Sequence, residues 1–272
     1  MAPIITLLTD FGVESTYPAQ MKGVILGRCP AANIVDISHG VPPHDVRTAA
    51  FMLAATAPAF PQGTIHVAVV DPQVGSQRRI LAAEAGGCVY LAPDNGLLTL
   101  VTHRDLIRGA GASAQGPMRI FSVENEFFFR TDVSSTFHGR DIFAPVAAAI
   151  ADGAELNDFG PPVSSIERFD FPLAEHDGCN ITGRVVYVDT FGNLVTNIGG
   201  CILAHRDPLR LEIHILGAVI HGLSRAYSDV PAGALLAYIG SAGLLEIAVN
   251  RQSAGTRLGA GDGTPVKVGL VP

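Results

Sequence analysis

The opening of the chain alternates short apolar runs with helical ones, and that rhythm limits the available folds more than any other feature. Residues 4–9 are an apolar run that stops at Thr9-Asp10-Phe11-Gly12, which reads as a buried strand ending in a turn. Residues 17–29 carry apolar side chains at helical spacing, with Pro30 as the stop. A second strand is expected at 33–37, an Ala-rich helix at 46–60 closed by Pro61, and a third strand at 64–70, ending at Asp71-Pro72. Strand, helix, strand, helix, strand predicts a mostly parallel sheet flanked by helices. Further strands are expected at 80–85, 88–92 and 119–123, and an apolar helix at 142–151, just after His138.

The character changes after Gly160. Pro161-Pro162 begins an irregular stretch, and beyond it come short alternating segments at 183–188, 209–216, 234–239, 244–249 and 265–270, punctuated by Gly, Pro, Asn and Asp. That pattern predicts a smaller, mainly antiparallel, barrel-like sheet. The expected organisation is an α/β domain over 1–165, a linker over 166–177 and a β-rich domain over 178–272. Only 16% of the 272 residues are charged while 48% are hydrophobic, which argues for extensive buried surface and a subunit interface, and against disorder. The net charge is -7, and no Lys/Arg run could track a phosphate backbone, so nucleic acid is not an expected partner. No apolar run reaches the roughly 18 residues of a membrane span, and the N-terminus lacks the pattern of a signal peptide; a cytoplasmic location is expected. Cys29, Cys88, Cys179 and Cys201 form no CxxC pair, so a thiolate metal site is not expected. Three of the four lie in apolar stretches and read as buried small hydrophobes.

In α/β sheets ligands bind beyond the carboxyl ends of the strands, and three carboxylates fall near such ends: Asp10, Asp36 and Asp71. Asp10 suits either a turn or cap, or a bidentate acceptor for two ribose hydroxyls. Asp36, in Asp36-Ile37-Ser38-His39, reads as strand end and turn. Asp71 begins DPQVGSQRR, a loop long enough to fold back and bring Arg78 or Arg79 to the carboxylate. A surface ion pair, worth little, explains that spacing equally well. His138 sits among Ser134, Ser135, Thr136 and Gly139 immediately before the apolar helix, where bunched donors suit a small molecule or anion. Arg140 and Asp141 read as a local cap and pair. Asp189, Asn193, Thr196 and Asn197 close a strand with mixed amide and carboxylate groups, and by themselves fit an ordinary turn. The Gly259–Gly263 repeat has no helix-length sequence after it, so a nucleotide loop is rejected.

In combination the motifs are more specific. TDFG at 9–12, YPAQMKGVI at 17–25, VVDP at 69–72, APDNGLL at 92–98, TFHGRDIFAP at 136–145, FGNLVTNI at 191–198 and SAGLLEIAVN at 241–250 resemble the S-adenosylmethionine (SAM) hydroxide adenosyltransferases, relatives of the fluorinases and chlorinases. The resemblance runs nearly the whole chain in order. It implies hydrolysis of SAM to adenosine and methionine, with SAM as substrate and no cofactor or metal. It also implies a homotrimer whose sites lie between the N-terminal domain of one subunit and the C-terminal domain of the next. By position it implies that Asp10 holds the ribose hydroxyls, that Asp71, Arg78 and His138 handle the water, and that Asp189 holds the methionine ammonium. Ser241 matches a contact to the methionine end, Asn193 an adenine contact and Tyr227 an aromatic packed on the adenine, while Tyr17 and His44 occupy ligand-proximal positions. Halogenating relatives lack an acid at the place of Asp71, and the fluorinase has a serine at the place of Gly139. A carboxylate there would repel a halide but accept a hydrogen bond from water. Gln73 departs from the pattern, which has glycine at that place.

Overall fold

The computed structural model describes residues 2–102, 118–178 and 180–270, and these form two compact units that divide after Phe169.

The first unit is built on a six-stranded sheet of order β2-β1-β3-β5-β4-β6, comprising β1 (Ile4–Thr9), β2 (Asn33–Ser38), β3 (Ile65–Val69), β4 (Ile80–Ala85), β5 (Cys88–Pro93) and β6 (Arg119–Ser122). Strands β2, β1, β3 and β5 run parallel, and β4 is antiparallel to both β5 and β6. The sheet is therefore mostly parallel, as the rhythm predicted. Every residue of β3 is buried, which is what a strand covered on both faces requires. Helix α1 (Tyr17–Arg28) opens with Pro18 in its first turn, where a missing N–H costs nothing. Helix α2 (Val46–Thr56) is capped by Asp45, which accepts from the Thr48 N–H. The Ala-rich segment is not one helix to Phe60: at Pro58 it tightens into a 3₁₀ turn, Ala57–Ala59. A short α3 (Thr99–Thr102) follows β5.

Helix α4 (Ala144–Ala151) is entered through a π-helical turn, Gly139–Phe143, that begins directly after His138. Pro145 explains the irregularity. It has no N–H to give to the Asp141 carbonyl, which instead accepts from the Arg130 N–H at 3.0 Å. Side chains of α1, the π-helical turn, α4, β1 and β3, including Met21, Ile25, Phe143, Val146, Leu7 and Val67, share one core. Residues 166–169, expected in the linker, are stitched to this unit: Glu167 N–H donates to Asp94 and Phe169 N–H to Thr99 Oγ1.

The second unit is an antiparallel sheet of order β11-β10-β14-β8-β9-β13-β12, with β7 (Glu175–His176) beside β8. The strands are β8 (Ile181–Val188), β9 (Leu194–Gly199), β10 (Leu211–Ile215), β11 (Ala218–His221), β12 (Leu235–Ile239), β13 (Leu244–Val249) and β14 (Pro265–Leu270). The sheet curls to near closure, with Ser224 N–H beyond β11 donating to Ala237 C=O of β12 at 2.8 Å. Ile181, Leu194, Ile213, Ile247 and Val268 fill its interior. Two short helices, α5 (Gly200–Leu203) and α6 (Ala254–Leu258), interrupt the strands. Gly259 ends α6 in the left-handed conformation and β14 follows, so among the described residues no helix follows the Gly259–Gly263 repeat.

Cys29 and Cys88 are buried, but Cys201 is exposed on α5, and Cys179 lies outside the described residues. Among the described residues no helix is long and apolar enough to cross a membrane.

Candidate active site

In the first unit the loop after β3 folds back as its length allows. Arg78 Nε lies 3.4 Å from Asp71 Oδ1, and only 10% of the Asp71 side chain and 19% of the Arg78 side chain are exposed. This is not the solvated surface pair of small consequence. Arg79 points elsewhere, giving Nε and NH2 to Asp94 Oδ2 at 3.0 and 2.6 Å and NH2 also to the Ser165 carbonyl. The geometry thus separates two adjacent arginines, one facing Asp71 and one fastening residues 165–167 to the sheet.

Gln73, the residue that departs from the family pattern, joins both members of the pair. Its N–H donates to Asp71 Oδ1 at 3.0 Å, and its Oε1 accepts from Arg78 NH2 at 2.6 Å. The Arg78 Nε is buried and makes no hydrogen bond of good geometry among the described residues, so its orientation rests on Gln73 and on attraction to Asp71. Gln73 and Arg78 also border a cavity of about 620 Å³ with Ser76, Arg79, Asn95 and Phe169; Asp71 and His138 are not part of its wall.

The same loop packs on the segment that carries His138. Gly75 has φ +81°, and a Cβ there would stand 2.3 Å from the Ser135 carbonyl oxygen. Only glycine permits both the conformation and the approach. His138 is half-buried, and burial pulls its pKa below the ordinary imidazole value, against the opposing charges of Asp71 and Asp141. The preceding residue is braced by aromatic rings: Phe137 stacks edge-on against Tyr17 with centroids 4.8 Å apart and against Phe11 at 5.7 Å. Gly139, next along, faces the same ring, since a Cβ there would meet Phe11 at 3.1 Å and Met21 Sδ at 3.3 Å.

Asp141 is fully buried and pairs locally with Arg140, as expected of the two. It takes Arg140 Nε at 2.7 Å and the Ser134 N–H at 2.9 Å, with Arg130 at 3.5 Å. Burial opposes its ionisation, but hydrogen bonds from Arg140 and Ser134 and the arginine charges outweigh that and hold its pKa below the ordinary value. Asp10 follows β1, and its Oδ2 accepts the backbone N–H of His44 at 2.9 Å. His44 is exposed and adopts φ 68°, a conformation uncommon outside glycine. Asp36 lies inside β2, paired with Lys22 at 2.6 Å and with His39 at 3.1 Å.

The second unit gathers the other expected residues on and beside its strands. Asp189 Oδ1 accepts the N–H groups of Phe191 and Asn193, and Oδ2 accepts Asn193 Nδ2 at 2.7 Å. A carboxylate has about four lone-pair positions, so one remains for a further donor. Asn193 Nδ2 also donates to Tyr227 Oη at 3.0 Å. Asn193, Phe191, Tyr227, Val249, Arg251 and Ser253 line a cavity of about 420 Å³. Ser241 is exposed in the turn between β12 and β13. Gln73, Gly75, Tyr238 and Glu246 were not among the expected site residues. For Gln73 the signal was present as a departure from pattern; for Tyr238 and Glu246 it was the register of two strands, which periodicity alone does not supply. Among the described residues no group of three or more His, Cys, Asp or Glu side chains could hold a metal.

Comparison with known proteins covers nearly the whole chain. The family described as "SAM hydroxide adenosyltransferase N-terminal domain" matches residues 5–160, and the one described as "SAM hydroxide adenosyltransferase C-terminal domain" matches residues 183–267. A protein of Thermus thermophilus named (R)-S-adenosyl-L-methionine hydrolase is 40% identical over 270 residues, covering 98% of this chain and 100% of its own. A fluorinase of Nocardia brasiliensis is 30% identical over 311 residues, covering 98% and 97%. A solved structure of an uncharacterized conserved protein from Thermotoga maritima superposes with a TM-score of 0.88 at 34% identity, covering 97% of this chain and 99% of that one.

Proposed function

The chain belongs to the SAM hydroxide adenosyltransferase family, and from that premise we propose that it hydrolyses SAM to adenosine and L-methionine. The observation that carries the reading is the largely buried Asp71–Arg78 pair, on a loop that packs against the segment carrying His138. A water molecule attacks the ribose C5′ in line with the C5′–S bond. The O–C5′ bond forms as the C5′–S bond breaks, and the sulfur takes the electron pair. Methionine leaves as a neutral thioether and needs no acid, so the protein's work is to place the water and take its proton. Asp71, fixed by Arg78, orients the water by accepting one of its hydrogens. An arginine beside a carboxylate makes it a poor base. His138, whose pKa burial lowers, accepts the proton.

The remaining roles follow the family pattern. Asp10 takes the ribose hydroxyls, Asp189 the methionine ammonium with its remaining acceptor site, and Ser241 the other end of methionine. Asn193 and Tyr227 take the adenine, and Tyr17 and His44 border the ligand. The assembly is a homotrimer with sites shared between subunits, and the setting is cytoplasmic; no metal or cofactor is required. The curated hydrolase is named for the (R) sulfonium epimer, and this is the epimer we assign.

The test is to incubate the purified protein with (R)- and (S)-SAM, with and without chloride or fluoride, and separate the products. Adenosine from (R)-SAM, with or without halide, supports hydrolysis, and equal adenosine from (S)-SAM would overturn the epimer. A 5′-halo-5′-deoxyadenosine formed only with halide would make the protein a halogenase, and unchanged SAM would make it a binding protein. Sedimentation at micromolar concentration tests the trimer.

A further inference from the structure

Glu246 is a buried carboxylate that the proposed chemistry does not use. It stands on β13 directly opposite Tyr238 of β12, and Tyr238 donates its hydroxyl hydrogen to Glu246 Oε2 at 2.6 Å. The carboxyl group occupies space left by Gly240, where a Cβ would overlap Glu246. Tyr238 Oη is 2.7 Å from Tyr227 Oη, and Tyr227 Oη receives Asn193 Nδ2.

With Glu246 ionised, the directions along this chain are forced. Tyr238 has one hydroxyl hydrogen and gives it to Glu246, so it can only accept from Tyr227. Tyr227 thereby spends its own hydrogen and can meet Asn193 only as an acceptor. The other neighbour of the amide, Asp189 Oδ2, is an acceptor as well. Both hydrogens of Asn193 Nδ2 are therefore taken inside the protein, and the amide cannot turn over without setting its oxygen against two acceptors. What Asn193 offers beyond this network is its carbonyl oxygen. The cavity it borders has Phe191 and Tyr227 in its wall, a setting for a flat heteroaromatic ring.

We propose that Tyr238 and Glu246 are positioning residues that, through Tyr227, hold the Asn193 carbonyl toward the bound base, so that the site selects a 6-aminopurine over a 6-oxopurine. An exocyclic amino group gives this carbonyl a hydrogen, whereas a 6-oxo group meets it acceptor to acceptor. A site built to pair a polar group discriminates strongly against the analogue that lacks it. The inference rests on the reading of the substrate as an adenosyl compound, and it adds what enforces the choice of base.

Calorimetric titration with adenosine and inosine tests this apart from turnover. The wild-type protein should prefer adenosine by about 10–100-fold, the range set by one unpaired buried polar group. Tyr238→Phe, which removes one oxygen from a residue outside the cavity wall, should cut that preference at least about fivefold while the protein still melts in one cooperative transition. Glu246→Leu should do the same, and Glu246→Gln, which still offers an acceptor oxygen, should restore most of the preference. A merely structural role would not move the adenosine-to-inosine ratio. A wild-type protein that binds both nucleosides alike or binds neither, or a Tyr238→Phe protein whose ratio stays within twofold of wild type, overturns the proposal. SAM turnover by the same wild-type preparation separates the two ideas. Turnover without base preference refutes this inference alone, and base preference without turnover refutes only the hydrolysis.

Discussion

The two units hold their polar side chains in opposite ways. In the first, charge is concentrated: Asp71 against Arg78, Asp141 against Arg140 and Arg130, with His138, whose pKa burial lowers against the charges of both carboxylates. These groups stand on loops and a π-helical turn, positioned by close approaches such as Gly75 on Ser135. In the second, Glu246, Tyr238, Tyr227 and Asn193 form a directed hydrogen-bond chain anchored on paired strands. The contrast fits a division of labour. Moving a proton needs charges and a tunable base; choosing a ligand needs donors and acceptors that cannot turn round.

If that division is right, damage to the first unit's cluster should appear in kcat and damage to the second's in binding. The largest effect is expected from Asp71→Asn, which keeps the shape but removes the charge paired with Arg78. Its kcat should fall by about 10²–10⁴-fold with KM changed little. Steady-state kinetics with SAM checks this, and a rise in KM with kcat intact would place Asp71 in binding instead. His138→Ala should lose about 10²-fold in kcat. The wild-type pH–rate profile should rise through a pKa below about 6.5, the ordinary imidazole value, and stay level above it, because only neutral His138 accepts the proton. In the variant that rise should vanish.

Gln73→Gly is the next step down. It removes the Arg78 partner at 2.6 Å while leaving the ion pair, and kcat should drop about tenfold, the worth of one hydrogen bond to a charged group. An unchanged kcat would mean that Asp71 alone orients Arg78. The smallest effects are on stability, and here the units should differ in sign. The folded-state pKa of His138 is lowered, so the unfolded chain takes up its proton first. Stability is full above the unfolded value near 6.5 and is lost as pH falls below it. For Glu246 burial, with the charge of Asp189, raises the pKa. Its contribution is full below the unfolded value near 4.3 and is lost as pH rises through the folded value. Melting curves across pH should show His138→Ala flattening the first dependence and Glu246→Gln the second.

Much of the fold was legible in the sequence because its signals are local. Buried runs such as residues 65–69 end at turn residues, and α1 is bracketed by Pro18 and Pro30. What was not legible depended on partners distant in sequence. Strand β9 contains Thr196 and Asn197, yet all six of its residues are buried, because Thr196 Oγ1 donates to the Leu245 carbonyl and Asn197 Nδ2 to that of Pro172. Its polar composition reads as a turn until those acceptors are known. The π-helical turn after His138 was hidden for the same reason, since Arg130 satisfies the carbonyl that Pro145 leaves open. In the candidate site, spacing could bring an arginine to Asp71 but could not choose between neighbours. Asp94 makes the choice by holding Arg79. Tyr238 and Glu246 became visible only with the register of β12 on β13.

The most direct test of the central claim follows the oxygen. SAM turned over by the protein in water enriched in ¹⁸O should give adenosine with one heavy oxygen at the 5′ position and methionine with none, at the same rate with or without halide. With Asp71→Asn the label should appear about 10²–10⁴-fold more slowly. Unlabelled adenosine, a halogenated nucleoside, or labelling that survives undiminished in Asp71→Asn would contradict a water placed for attack by the Asp71–Arg78 pair.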